Sequence, residues 1–253
     1  MASGAGAKFS RPAARIAAVD YARSVALLGM AVYHFTYDLA LFGALPPGTA
    51  TQGAWQELAR LVAGSFLFLA GVSLVLAHDQ GLRARAFLRR LAVVTLAAAA
   101  VSLVTWLMAP EFFVYFGILH AIALSSVIGL VFLRLPAGVT LAAAALVLAV
   151  PWLAEANGWY LQRPIWLGLA QFPRPAMDFE PVFPWTGVFL AGMGCARLAT
   201  RYGLWTRLAA WRVPGRGLHL ALAWPGQHSL MIYLVHQPVL FGAVYVWANY
   251  LRS

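Results

Sequence analysis

The sequence predicts an all-α, polytopic membrane protein with about seven transmembrane helices, its N-terminus inside and its C-terminus outside. Of its 253 residues, 62% are hydrophobic and only 10% are charged, and the mean hydropathy is +0.75. A soluble domain of this length would need far more polar surface to cover its core. Because backbone polar groups in lipid must be satisfied within helices, long apolar runs indicate spanning helices.

Seven apolar runs have the length and composition of such helices. The fifth is the shortest and is expected to end at Pro151, since proline disrupts the interior of a helix. Residues 1–15 are predicted to form a basic cytoplasmic tail, and residues 16–253 a single transmembrane domain. The predicted spans cover residues 22–43, 58–77, 91–109, 115–134, 137–153, 181–199 and 227–249.

The basic residues determine the predicted orientation. They cluster before the first span and after the second, fourth and sixth, so seven spans place every cluster on one side. The positive-inside rule makes that side cytoplasmic. Although the net charge is +10, this distribution argues against a nucleic-acid site. It favours topology signals and contact with anionic lipid, or a binding surface for a phosphorylated cosubstrate.

Ionisable side chains within the spans mark the candidate site, because a charge at mid-membrane costs about 2.5–3.5 kcal/mol on insertion scales. The stretch VYHFTYDL places His34 and Asp38 one helical turn apart. A carboxylate there can orient an imidazole and raise its basicity, as a general base requires. His120 and His236 lie at similar predicted depths on two other helices. The alternative is that each histidine is a core residue bonded to a neighbouring helix.

No metal site is expected. Three histidines would suffice as ligands, but their spacing shows no local ligand motif. The single cysteine, Cys195, excludes a disulfide framework and a cysteine-based metal site.

Two further polar groups lie near the ends of spans. Asp178 and Glu180 precede the sixth span, where acids suit the helix dipole or present carboxylates to a substrate. Trp185, which follows them, is either an interface anchor or a surface for stacking a sugar. At the inner end of the first span, Asp20 and Arg23 form either an anchoring ion pair or a contact to a cytosolic cosubstrate.

Four ordered blocks resemble a known family. The opening block follows the pattern R-x-x-x-x-D-x-x-R-G, an apolar run and H-F-x-x-D-L, with Ser24 in place of the glycine. Together the blocks resemble bacterial membrane proteins grouped with the catalytic domain of heparan-α-glucosaminide N-acetyltransferase, within a wider set of transmembrane acyltransferases. The blocks are RIAAVDYARSVALLGMAVYHFTYDLALFG, FGILHAIALSS, DFEPVFPWTGVFLAGMGCAR and PGQHSLMIYLVHQPVLFG.

The resemblance implies acyl transfer across a membrane. Acetyl-CoA or another acyl-CoA would donate from the cytoplasm, and a sugar or glycan would accept on the outer side. His34 would be the first-helix histidine of the family, which either deprotonates the acceptor or carries the acyl group transiently. The implied location is a bacterial inner membrane, and the sequence leaves homo-oligomerisation open.

The candidate residues divide into two groups under this hypothesis. The predicted catalytic residues are His34, Asp38, His120 and His236. The predicted substrate-binding residues are Asp20, Arg23, Asp178, Glu180 and Trp185.

Two other functions fit the same residues. A small proton-coupled transporter or lipid flippase would use a histidine–aspartate pair as a proton relay and would not depend on acyl-CoA. A non-catalytic subunit would scaffold a cell-envelope complex.

Overall fold

The computed structural model describes residues 16–251, and this range contains nine α-helices and no named strand. The all-α prediction is therefore confirmed. The basic tail predicted for residues 1–15 lies outside the described residues. The helices are α1 (Ala17–Leu41), α2 (Gly53–Ala77), α3 (Ala84–Met108), α4 (Ile118–Phe132), α5 (Ala137–Asn157), α6 (Val182–Arg201), α7 (Leu204–Ala210), α8 (Arg216–Gln227) and α9 (Ser229–Val246).

The seven predicted apolar segments each correspond to a helix, but six meet the length of a full span. These are α1, α2, α3, α5, α6 and α9, the last including its continuation to Leu251. Helix α4 is apolar but has 15 residues, which reach about 22 Å against a hydrocarbon core of about 30 Å. Pro151 does not end α5 as expected, since the helix continues to Asn157; membrane helices tolerate proline when neighbours satisfy the freed backbone.

Two helices, α7 and α8, occupy the basic stretch between the last two spans, where the sequence suggested only a connection. Helix α8 packs on the start of α1: the Ser24 hydroxyl donates to the Leu222 carbonyl, and the Gly226 N–H donates to Ser24 Oγ at 2.8 Å. A Cβ on Gly226 would lie 1.9 Å from the Asp20 carbonyl oxygen. This backbone contact holds α8 against the start of α1. We call this end of the bundle, which also carries the α2–α3 connection and α7, the "arginine end".

The core of the bundle surrounds α6, which packs extensively on α5, α2 and α4. Leu67 of α2 and Phe189 of α6 are fully buried there. A Cβ on Gly71 would lie 2.1 Å from the Phe189 carbonyl oxygen, and a Cβ on Gly192 equally close to that of Phe68. The two glycines therefore let the backbones of α2 and α6 touch, as small residues do in membrane helix pairs.

At the opposite end of the bundle, the α3–α4 and α5–α6 connections are joined through their backbones. The Met177 N–H donates to the Phe112 carbonyl at 2.8 Å, and the Glu180 N–H donates to the Phe116 carbonyl at 3.1 Å. Phe116 and Phe179 also form an isolated parallel bridge. These bonds hold the segment carrying Asp178 against the start of α4.

We expect Gly71→Ala to destabilise the protein by about 1–3 kcal/mol, the usual cost of overpacking a core. The added methyl group cannot fit unless α2 and α6 move apart. The matched control is Gly242→Ala in α9, where an added Cβ meets nothing within 4 Å. Thermal unfolding in detergent should show a lower midpoint for the first variant alone, and equal midpoints would contradict this account of the core.

Candidate functional site

A cavity of about 990 Å³ enters the bundle from the arginine end. Helices α2, α3 and α4 contribute apolar walls, among them Phe66, Val94 and Ile122. Ile118 at the start of α4 and Tyr233 of α9 also line it. Five arginines complete its wall, namely Arg23, Arg83, Arg85, Arg89 and Arg90. The cavity thus combines a cationic rim with an apolar interior and lies at the upper end of the usual size for small-molecule sites.

The predicted Asp20–Arg23 pair forms part of this wall. Asp20 is only 2% exposed, and its carboxylate lies 3.3 Å from the Arg23 guanidinium. Gln227 donates to the other carboxylate oxygen at 3.4 Å, and Arg23 donates to the Ser73 hydroxyl. The pair therefore joins α1 to α2 and to the end of α8, and Arg23 reaches the cavity from this junction.

Asp178 lies behind the cavity wall and connects two of its lining residues. Its Oδ2 atom accepts the Ile118 N–H at 3.0 Å and the Tyr233 hydroxyl at 3.3 Å. A Cβ on Gly117 would lie 2.2 Å from the same oxygen, so only glycine admits the carboxylate there. The carboxylate thus satisfies a backbone donor in the first turn of α4, where a negative charge is favourable.

Glu180 lies close enough to Asp178 for the two carboxyl groups to affect each other. Burial and, secondly, the Asp178 charge raise the pKa of Glu180 to about 9, while a hydrogen bond from Trp185 opposes them. Burial also raises the pKa of Asp178, but hydrogen bonds from Ile118 and Tyr233 act in the other direction. At neutral pH Glu180 therefore holds a proton beside the Asp178 carboxyl group, whose hydrogen bonds from Ile118 and Tyr233 oppose the effect of burial on its pKa.

Two of the predicted histidines meet in the structure. The His34 and His236 ring centroids lie 4.9 Å apart in an edge-to-face arrangement between α1 and α9. Asp38 is fully buried, and its Oδ1 atom accepts from Gln237 Nε2 at 3.0 Å. The hydrogen bond of this carboxylate therefore goes to α9 rather than to His34 one turn away.

The hydrogen bonds of His236 determine its tautomer. Its Nδ1 atom lies 2.6 Å from the Tyr233 carbonyl, which can only accept, so Nδ1 carries the hydrogen. Nε2 is then a bare lone pair, and it is buried without a partner among the described residues. Asp38 Oδ2 and Gln237 Oε1 are likewise buried and unpartnered. Each of the three atoms can accept a hydrogen bond from a donor group.

His120 occupies a different position at the start of α4. Its Nδ1 accepts the Gly117 N–H at 3.2 Å, so the neutral ring carries its hydrogen on Nε2, which lies 3.3 Å from Ser102 Oγ. Ser102 donates in turn to the Val114 carbonyl, and the Phe116 ring packs on the imidazole. These contacts tie the start of α4 to α3 and the loop between them.

The structure therefore joins most of the predicted residues through two that the sequence did not single out. Tyr233 bonds Asp178, lines the cavity and has its ring centroid 5.7 Å from that of His236. Gln237 holds Asp38. One signal was available for Tyr233, since it precedes His236 by three residues and so shares its helix face.

A family model described as "Heparan-alpha-glucosaminide N-acetyltransferase, catalytic" matches residues 15–238. The match includes His34, the acid pair formed by Asp178 and Glu180, and the part of α9 that carries Tyr233 and His236. No curated protein and no solved structure matches the chain.

We expect Glu180→Gln to flatten the pH dependence of stability. The folded-state pKa of about 9 lies above the ordinary value of 4.5, so between these values the folded protein binds the proton more tightly than the unfolded chain. The contribution of Glu180 to the free energy of unfolding is then most favourable at low pH and falls as pH rises towards 9. Thermal midpoints measured from pH 5 to 9 in detergent should fall more steeply for the wild type than for the variant. Parallel curves would contradict a proton held on Glu180.

Proposed function

Because the chain belongs to the heparan-alpha-glucosaminide N-acetyltransferase catalytic family, which indicates a membrane acetyltransferase, we propose that it transfers an acyl group across the bilayer. The donor is acyl-CoA from the cytoplasm, with acetyl-CoA as the expected form. The acceptor is a sugar or glycan on the outer side of a bacterial inner membrane. The observation that carries this proposal is the cavity, which is lined both by five arginines and by Tyr233. We call Tyr233 and its neighbours Asp178 and His236 the polar cluster.

The cavity suits a CoA thioester in charge and in polarity. Its arginines match the phosphates, since guanidinium groups bind phosphate oxygens in a bidentate manner. Its apolar interior matches the pantetheine arm, which leads from those phosphates to the thioester. Tyr233 and Ile118 line the same cavity, so a donor bound by its phosphates at the rim would present its acyl group to the polar cluster.

Asp178 and Glu180 support an acceptor site on the other side of Tyr233. A protonated Glu180 both donates and accepts hydrogen bonds, as recognition of sugar hydroxyls requires. Trp185 donates to Glu180 and is itself packed against the core of the bundle. In this proposal it acts by holding the carboxyl group in place.

His34 is the proposed centre of the chemistry, either as the base that deprotonates the acceptor or as a transient carrier of the acyl group. The contact with His236 and the buried Asp38 support a place for a proton beside it. The catalytic role predicted for His120 stays a prediction, and its hydrogen bonds to Gly117 and Ser102 favour a positioning role.

A second candidate is a proton-coupled transporter or lipid flippase. The observation in its favour is that Asp38 Oδ2 and His236 Nε2 are buried without partners between two membrane helices. Such groups also serve as stations of proton relays. This candidate predicts no dependence on acyl-CoA.

We expect the double variant Arg85→Ala, Arg89→Ala to bind CoA about tenfold more weakly or worse, because a hydrogen bond to a charged group contributes about 1.5–3 kcal/mol. Binding to purified protein would be measured by calorimetry at low and high salt, and the variant should lose part of the salt dependence. The control is Arg60→Ala, an exposed arginine paired with Glu57 near the start of α2. Unchanged CoA affinity in the double variant would remove the cavity from the proposal.

We expect His34→Ala to abolish release of free CoA from acetyl-CoA with glucosamine as acceptor, while CoA binding persists. The reason is that the imidazole accepts the proton or the acyl group, whereas the phosphates bind far from it. Transfer at the wild-type rate in this variant would exclude His34 from the chemistry. Proton-coupled uptake into vesicles that needs no acyl-CoA and disappears in Asp38→Asn would favour the transporter instead.

A further inference from the structure

Tyr233 stands where the donor cavity, the acid pair and the histidines meet. Its side chain lines the cavity, and its hydroxyl donates to Asp178 Oδ2 at 3.3 Å. Its ring packs beside that of His236, and its own carbonyl accepts the Nδ1 hydrogen of that histidine. One residue thus contacts each part of the site that acyl transfer needs.

We propose that Tyr233 is a catalytic residue, whose hydroxyl binds the carbonyl oxygen of the thioester as that oxygen becomes negatively charged. This inference rests on the proposed function and adds a residue to it. Donors preorganised for a developing oxyanion give one of the largest rate contributions in acyl transfer. A tyrosine at the wall of the donor cavity, beside an unpartnered imidazole nitrogen, is placed for that contact.

The hydroxyl has to leave Asp178 in order to serve the substrate, and the acid pair provides a replacement. The Ile118 N–H stays on the Asp178 carboxylate, because it belongs to the first turn of α4. The protonated carboxyl group of Glu180 can then donate a hydrogen bond to Asp178 as the Tyr233 hydroxyl turns away. Asp178 keeps two donors in both arrangements, so the switch leaves no buried acceptor unsatisfied.

The transfer step balances with these groups alone. The acceptor oxygen or nitrogen forms a bond to the thioester carbon, and the carbonyl electron pair moves onto the oxygen held by Tyr233. A histidine nitrogen, that of His34 or the bare Nε2 of His236 beside it, takes the proton of the acceptor. When the carbonyl reforms, the C–S bond breaks, and the thiolate leaves with the bonding electrons and receives that proton. The products are the acylated acceptor and free CoA.

The test compares Tyr233→Phe with Tyr245→Phe, a half-exposed tyrosine on the same helix whose ring packs on Phe42. With acetyl-CoA and glucosamine, Tyr233→Phe should lower kcat about 10²–10³-fold, the usual cost of removing one oxyanion donor. CoA affinity and the thermal midpoint should stay close to the wild type, because the ring remains. Tyr245→Phe should leave all three quantities unchanged.

A second variant keeps the proposal testable if Tyr233→Phe is poorly folded. Glu180→Gln retains a neutral donor beside Asp178, so at saturating glucosamine it should lose any decline of kcat near pH 9 that the wild type shows, whatever its effect on the KM for the acceptor. The groups facing Glu180 are Asp178 in the same connection, Trp185 at the start of α6, Tyr33 of α1 and Tyr233 of α9. The same decline of kcat near pH 9 in Glu180→Gln as in the wild type, at saturating glucosamine, would overturn the proposed exchange of donors.

The outcomes separate this inference from the function on which it rests. If the wild type transfers acetyl and Tyr233→Phe does so at the same rate, the catalytic role is wrong while the acyltransferase proposal stands. If Tyr233→Phe loses CoA binding and transfer together, Tyr233 is a donor-binding residue and the oxyanion role is wrong. If the wild type neither binds CoA nor releases it from acetyl-CoA, both proposals fail.

Discussion

The carboxylate of Asp178 accepts hydrogen bonds from two helices, α4 and α9, that share no extended contact of their own. The α5–α6 connection delivers this carboxylate, and backbone bonds to the α3–α4 connection keep it in place. Without the Asp178 carboxylate, the Ile118 N–H in the first turn of α4 would be left without this acceptor, and the Tyr233 hydroxyl would lose its partner. The link between α4 and α9 at the wall of the arginine-rimmed cavity therefore depends on this one buried carboxyl group, for which Gly117 leaves room.

The sequence predicted the architecture well because hydropathy reports directly on the membrane as solvent. All seven apolar runs correspond to helices. His34 and His236 were singled out because polar groups in apolar segments are conspicuous, and Asp178 and Glu180 because two acids directly precede a span. Helices α7 and α8 were missed because neither contains a long apolar run; α8 packs instead on α1 through Ser24 and Gly226. The bond between Asp38 and Gln237 was equally hidden, because helical spacing places Asp38 near His34 but says nothing about which helix lies opposite.

Two of the helices that line the arginine-rimmed cavity, α3 and α9, pack least within the bundle. Helices α3 and α9 are the least buried of the six candidate spans, whereas α2 and α6 are the most buried. Among its extended contacts α3 packs on α4 alone, while α6 packs on three long helices. Their outer faces are left for lipid, as expected of helices at the edge of a membrane bundle. The fold thus combines a buried centre around α6 with a cavity wall that has few contacts inside the bundle.

The shortness of α4 has a consequence for the distance that a transferred group travels. A helix of 15 residues covers about 22 Å, so the connections that continue it must enter the level of the hydrocarbon core, which is about 30 Å thick. Irregular backbone is tolerated at that depth only where it is bonded within the protein or lines water, and the paired loops of Met177 and Glu180 meet this condition. A group transferred beside α4 would therefore follow helix for about 22 Å and paired loops for the rest of a hydrocarbon core of about 30 Å.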